Sequence, residues 1–172
     1  MGATIALWLS RTSPSKYPKV VAIAPAAGKS QVPVALRKIK NLSSFFNMGL
    51  NRNTMKLILT VLYTDNSLVT DQTIDQYLNP YLADKTTSIQ CFMNAKDLIQ
   101  DPRLPKELSQ SKMKALVLWG KKDVSVRKKN IKDVLKHLPN STYFQHNKGG
   151  HHLMEDEPSW VLTKIKSYLT TT

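Results

Sequence analysis

The stretch Gly149-Gly150-His151-His152-Leu153-Met154-Glu155-Asp156-Glu157-Pro158 organises the whole chain. Two glycines ahead of a histidine make a tight turn, because glycine tolerates backbone angles that a Cβ disfavours. Such a turn can aim one imidazole into a cleft. The acidic run and Pro158 behind it predict a helix start, with carboxylates in the first turn and proline at an early helical position. The histidine then lies between a strand at 142–146 and a closing helix at 159–169. A second stretch supports it: Lys114-Ala115-Leu116-Val117-Leu118-Trp119-Gly120-Lys121-Lys122-Asp123. This is an apolar strand that ends in a loop with an aspartate three residues past a glycine. An acid after one strand and a histidine after the next are two of the three parts of a Ser-His-Asp arrangement.

Outward from these stretches the chain alternates strand and helix. Val20 to Ala24 is a continuous apolar run, as expected of a strand covered on both faces. Gly2 to Ser10 predicts a helix that is apolar nearly all round and therefore buried. From Pro33 to about Gln110 apolar residues recur at helical spacing, for example Leu57, Ile58, Val61 and Leu62. Breaks are expected near Asn47-Met48-Gly49, Asp65-Asn66-Ser67, Asn79-Pro80 and Asp101-Pro102. That predicts about four short helices and no strand, with Thr70 as an N-cap. Afterwards come a strand at 115–119, a helix at 126–137, and the strand and helix that flank His151. Strands alternating with helices imply a parallel sheet. A helical block between two such strands predicts a lid over the strand ends, where ligands of α/β folds bind.

With 172 residues, 41% hydrophobic and 22% charged, the chain can build one domain with a core. Cys91 is the single cysteine, so no internal disulfide forms. This fits a reducing, cytoplasmic setting. Its neighbours Ile89, Phe92 and Met93 predict a buried structural thiol. The net charge is +13, and eleven of the 25 Lys and Arg fall between Arg103 and Lys136. Such density suits nucleic acid or an anionic surface. No aromatics interleave it, so a solvated face is the simpler expectation and nucleic acid is not the expected partner. No apolar run reaches the length of a membrane span. Ala27-Gly28-Lys29-Ser30 mimics the end of a phosphate-binding loop, but Ile23 stands where its first glycine belongs and Pro33 breaks the helix that should follow. His151, His152, Glu155, Asp156 and Glu157 include metal-ligand types, but their spacing fits no metal motif. Neither a metal nor a cofactor is expected.

Several of these stretches carry a family resemblance. Lys114 to Asp123 resembles the strand and acid loop "LVLWGxxD" of the α/β-hydrolases. Leu138-Pro139-Asn140-Ser141 resembles the "LPNA" before their last strand. Gly150-His151 with Pro158 resembles their "GHxxxxExP" histidine loop, with Asp156 where Glu is usual. Tyr17-Pro18-Lys19-Val20-Val21-Ala22-Ile23-Ala24-Pro25 resembles the strand after the nucleophile, and Met1 to Leu7 the last part of the elbow and its helix. The acid-before-histidine order also matches. The resemblance implies a truncated α/β-hydrolase fold, with a partial parallel sheet, flanking helices and a helical lid. The partial core would be 1–32 and 111–172, and the lid 33–110.

By that resemblance His151 and Asp123 are the catalytic base and acid, and the backbone N–H of Met1 belongs to the oxyanion hole. The nucleophile would have stood directly before Met1. The implied function is a fragment of a serine-type hydrolase of esters, amides or C–C bonds, acting on a small-molecule substrate in its complete form and inactive alone. The alternatives are a catalytically dead remnant that binds a partner, or a basic nucleic-acid-binding module. A first strand without a neighbour would leave an open edge that invites self-association.

Overall fold

The computed structural model describes residues 1–27 and 50–170. The expected helix around Val34 to Leu42, the Gly28-Lys29-Ser30 stretch and the break at Asn47 to Gly49 lie outside the described residues. Three parallel strands form one sheet in the order β1-β2-β3: β1 Lys19–Ile23, β2 Lys114–Gly120 and β3 Ser141–His146. Val20 pairs with Ala115, and Ala115 in turn with Ser141. Because the strands are parallel, the loops holding Asp123 and His151 leave the same end of adjacent strands.

Side-chain alternation along β2 sends Ala115, Val117 and Trp119 to one face and Leu116 and Leu118 to the other. All five are at most 1% exposed, so β2 is covered on both faces, as its unbroken apolar run predicts. On the first face lie α1 (Gly2–Thr12), α5 (Arg103–Ser109) and α6 (Lys128–Lys136), which contribute Leu7, Leu104, Leu108, Ile131 and Val134. On the second face a short helix α7 (Leu153–Asp156) and the closing helix α8 (Pro158–Thr170) contribute Leu153 and Val161. In β1, Val20 and Ala22 are buried, while Val21 and Ile23 on the second face are half-buried. The result is a three-layer partial α/β sheet.

Residues 50–110 carry no strand. Helices α2 (Arg52–Leu62), α3 (Asp71–Ala83) and α4 (Lys85–Gln100) follow one another, with a short 3-10 turn at Asn66–Leu68. Met55, Leu59, Tyr63, Ile74 and Leu78 form their own cluster. Asn51 caps α2 through a reciprocal bond with Thr54, and Thr70 caps α3 by accepting from the Thr73 N–H. Ile99, Leu104 and Leu108 belong to the sheet core instead.

Four local expectations need correction. Helix α1 is not buried all round: Thr4, Leu7 and Ser10 face inward, while Ile5, Trp8 and Leu9 are each close to 40% exposed. Two of its inward residues are polar and tie the helix to the ends of β1, Thr4 Oγ1 donating to the Ala26 carbonyl (2.5 Å) and Ser10 Oγ to that of Tyr17 (2.5 Å). Pro80 does not break a helix. It sits inside α3, and the break comes at Asp84, whose carboxylate accepts from the Thr87 N–H at the start of α4. Cys91 is exposed on α4, because its flanking apolar residues turn other faces inward. The acidic run and Pro158 mark helix starts as expected, but of two helices rather than one. Glu155 and Asp156 lie in α7, and α8 starts at Pro158.

Candidate functional site

Strand β2 ends at Gly120, and the next turn brings Asp123 back under the strand end through its N–H to the Gly120 carbonyl (3.0 Å). The Asp123 side chain is fully buried. Its Oδ1 accepts from the N–H groups of Ser125 (2.7 Å) and Val126 (2.8 Å). Its Oδ2 lies 2.9 Å from Nδ1 of His151. A buried carboxylate is costly unless its lone pairs are used, and three donors use them here. The carboxylate can only accept, so Nδ1 of His151 carries a proton, and in the neutral ring Nε2 keeps the lone pair. Trp119 Nε1 donates to the Val126 carbonyl at 2.7 Å, which pins the far end of the same loop.

The histidine loop is seated on this acid loop backbone to backbone. The Lys121 N–H donates to the His146 carbonyl (2.8 Å), and the Lys122 N–H to that of Gly149 (3.1 Å). The approach is so close that a Cβ on Gly120 would stand 2.3 Å from the Gly149 carbonyl oxygen and 2.5 Å from that of Gly150. Any side chain at 120 therefore pushes the two loops apart. At Gly149 the neighbour is a side chain, since a Cβ there would stand 2.2 Å from Leu153 Cδ1, and the Gly149 N–H donates to His146 Nδ1 at 3.1 Å.

The end of α2 holds the same loop from above. The His151 N–H donates to the Leu62 carbonyl at 3.1 Å. Asp156 bridges the two segments: Oδ2 accepts from the Gly150 N–H (2.8 Å) and Oδ1 from the Thr64 N–H (3.0 Å). Tyr63 and Tyr77 both donate their hydroxyls to Glu155. With the Tyr77 proton committed to Glu155, His152 Nδ1, 3.1 Å from the Tyr77 oxygen, is the donor of that pair. The His152 ring packs against Tyr63 and Tyr77 at centroid distances of 4.7 and 5.3 Å. Burial holds the His152 pKa below 6.5, against the opposing pull of Glu155. Burial first, and then the bond to Glu155, pushes the Tyr77 hydroxyl up to about 12 and raises that of Tyr63 as well.

Asp123 and His151 are thus brought together, and His152 is turned away into the tyrosines. Met1 heads α1, its carbonyl accepting from the N–H groups of Thr4 and Ile5, and burial lowers the pKa of its amino group. Among the described residues no group of His, Cys, Asp and Glu could hold a metal ion, and no helix is long and apolar enough to cross a membrane. The eleven basic residues from Arg103 to Lys136 are all exposed. Sequence reasoning missed Tyr63 and Tyr77, the contact role of Gly120 and the bridging role of the carboxylates. Gly120 carried a signal as the glycine of the resembled "LVLWGxxD" stretch, and Asp156 as a shorter acid at a position where the resembled motif has Glu.

No family model matches the chain, and no curated protein does. Solved structures match it closely in shape. A serine hydrolase of the polyaromatic-hydrocarbon-degrading bacterium Cycloclasticus zankles superposes with a TM-score of 0.74 at 17% identity, over 100% of this chain and 63% of that one. A non-heme bromoperoxidase, so titled as putative, from Mycobacterium tuberculosis H37Rv gives 0.72 at 16% identity, over 98% and 63%. A serine hydrolase involved in carbazole degradation gives 0.73 at 16% identity, over 99% and 61%. The chain therefore spans less than two thirds of the length of these structures. Its three parallel strands, flanking helices and paired loops at the strand ends are a partial α/β-hydrolase fold.

Proposed function

We propose that this chain supplies the acid and the base of a serine-type hydrolase. Asp123 orients His151, Nε2 of His151 takes the proton of a serine hydroxyl and later returns it to the leaving group, and the Met1 N–H donates to the oxyanion. The observation that carries this is the Asp123–His151 pair at 2.9 Å, with the acid buried and fully bonded. Among the described residues the hydrogen bonds of the His151 ring run to Asp123 alone, and on this reading the nucleophile is a serine directly before Met1. It would be presented by the part of the fold that the matched structures have and this chain does not span. Helices α2 to α4 serve as the lid, and the bond class is an ester, an amide or a C–C bond beside a ketone.

The test is labelling with a fluorophosphonate probe. The 172-residue chain should stay unlabelled, and a protein that joins it to the missing part of the fold, with Ser directly before Met1, should react. His151→Ala should remove that reaction, and His152→Ala should leave most of it. Labelling of the 172-residue chain at Ser10 or Ser125, or a reaction indifferent to His151, would overturn the proposal.

A second reading, a remnant that binds a partner, is favoured by one observation. Strand β1 has no strand on its outer side among the described residues, and Ile5, Trp8 and Leu9 are exposed on α1, which packs against it. Sedimentation velocity over a concentration series tests it, since an open edge beside apolar side chains should self-associate.

A further inference from the structure

At the opposite end of the sheet from His151 lies a cleft of about 550 Å³. It is formed by the start of β2, the start of β3 and the inner side of α8. Lys112, Lys114 and Lys164 line it together with Phe144 and Tyr168, and Asn140, Thr142 and Ser167 complete it. Its charge is one-signed: three ammonium groups and no carboxylate among the lining residues. None of the three lysines has an ion-pair partner among the described residues. Lys164 is held at the wall by the Phe144 ring, its Nζ 4.2 Å from the centroid. Lys19 stands 5.9 Å from the Tyr168 ring and adds a fourth positive charge beside the cleft. An independent observation comes from Tyr168. Its hydroxyl is buried and makes no hydrogen bond among the described residues, and a buried donor without a partner is rare in folded proteins.

We propose that this cleft binds an organic phosphate, with the phosphate among Lys112, Lys114 and Lys164 and an apolar body against Phe144 and Tyr168. Lysines bind phosphate as mobile point charges, and three of them converge on this cleft. The hydroxyl and amide groups of Thr142, Ser167 and Asn140 are of the kinds that bond phosphate oxygens. The volume falls in the range of small-molecule sites and far exceeds what a bare phosphate fills. The site is separate from the Asp123–His151 pair, so it stands or falls independently of the hydrolase reading.

Phenyl phosphate is the probe, with inorganic phosphate and phenol as its separated halves. Titration of the 172-residue chain by calorimetry should show phenyl phosphate binding more tightly than either half. Lys114→Ala with Lys164→Ala should weaken it by roughly tenfold or more, the size of a lost charge-assisted contact. Lys129→Ala with Lys132→Ala, an equal loss of charge on exposed α6, should change it by less than about twofold at matched ionic strength. Tyr168→Phe should weaken it modestly. Vesicles containing phosphatidic acid separate the two sources of such a group. Capture that depends on Lys114 and Lys164 assigns a lipid headgroup, and no such capture assigns a soluble ester. Equal losses in the two lysine pairs, or phenyl phosphate binding no better than phosphate, would overturn the proposal. Circular dichroism of each variant guards against loss of fold.

Discussion

Gly120→Ala should be among the most damaging single-methyl changes in the chain. The added carbon would meet the carbonyl oxygens of Gly149 and Gly150 at 2.3 and 2.5 Å and the Gly149 carbonyl carbon at 2.6 Å. All three are backbone atoms, so no rotamer change relieves the contact, and the histidine loop must move as a unit. Overpacking of this kind costs about 1–3 kcal/mol. The movement also stretches the bond from the Lys122 N–H to the Gly149 carbonyl, worth about 1 kcal/mol and now 3.1 Å long. The expected total is about 2–4 kcal/mol, or a fall of roughly 1–2 M in the urea midpoint. The same displacement should break the Asp123–His151 pair, read as loss of the low-field Nδ1 proton of His151 in the NMR spectrum. Gly2→Ala is the control. A Cβ there meets nothing within 4 Å, and the change should stay within about 0.5 kcal/mol. A Gly120→Ala protein with an unchanged midpoint and an intact His151 proton would refute the claim that backbone contact between the two loops sets the geometry of the pair.

Asp156→Ala leaves the N–H groups of Gly150 and Thr64 without their acceptor and should cost about 2–4 kcal/mol by denaturation, with Asp156→Asn near half of that. Asp156→Glu, the residue of the resembled motif, should keep most of the stability. Because burial depresses the His152 pKa, the unfolded chain binds the proton more readily than the folded one. The stability contributed by neutral His152 is therefore fully present above 6.5 and lost as pH falls through the folded value. Urea titrations from pH 7.5 down to pH 5 should show that slope, and His152→Gln, which keeps a donor for Tyr77, should flatten it. Exposed Asp65 and Asp84 and half-buried Asp101, also depressed, act only at more acidic pH and do not mask it.

What could be read in the sequence was local. The run Ala115 to Trp119 announced a strand through its period and composition, and the spacing to Asp123 and from Gly150 to His151 placed both side chains just beyond strand ends. The two chemically suggestive residues were therefore legible. Their support was not. Tyr63 and Glu155 are 92 positions apart, as are Thr64 and Asp156, and nothing in either segment announces the other. The carboxylates had a sufficient local explanation at a helix start, where Glu155 and Asp156 do lie, and that explanation hid their bonds to Tyr63, Tyr77, Gly150 and Thr64. Helix α1 misled for the opposite reason. Its composition is apolar on every side, but only the face with Thr4, Leu7 and Ser10 has described structure to pack on, so Trp8 stays outside. Pro80 shows tertiary packing overriding a local break: Ile74 and Leu78 are anchored in the helical cluster, and the helix runs on past the missing N–H.

The support of His151 bears directly on how a nucleophile could be added. The ring is fixed by Asp123, its backbone by Leu62, and the preceding glycine by Asp156, so two segments distant in sequence and the helix that follows the loop hold it. Each of these bonds exists within the described residues, and none needs a neighbouring serine. A pair already held in this way loses little freedom when a hydroxyl arrives, and that pre-organisation is what makes positioning effective in catalysis. On the proposed reading, the part of the fold that carries the serine has one geometric task, to bring Oγ within hydrogen-bond reach of His151 Nε2. The natural surface for it is the outer edge of β1 and the exposed side of α1. A strand joining β1 in parallel would satisfy its unpaired backbone groups, and the layer above that strand would cover Ile5, Trp8 and Leu9. The apolar excess of α1, unexplained by its own contacts, then has a physical cause.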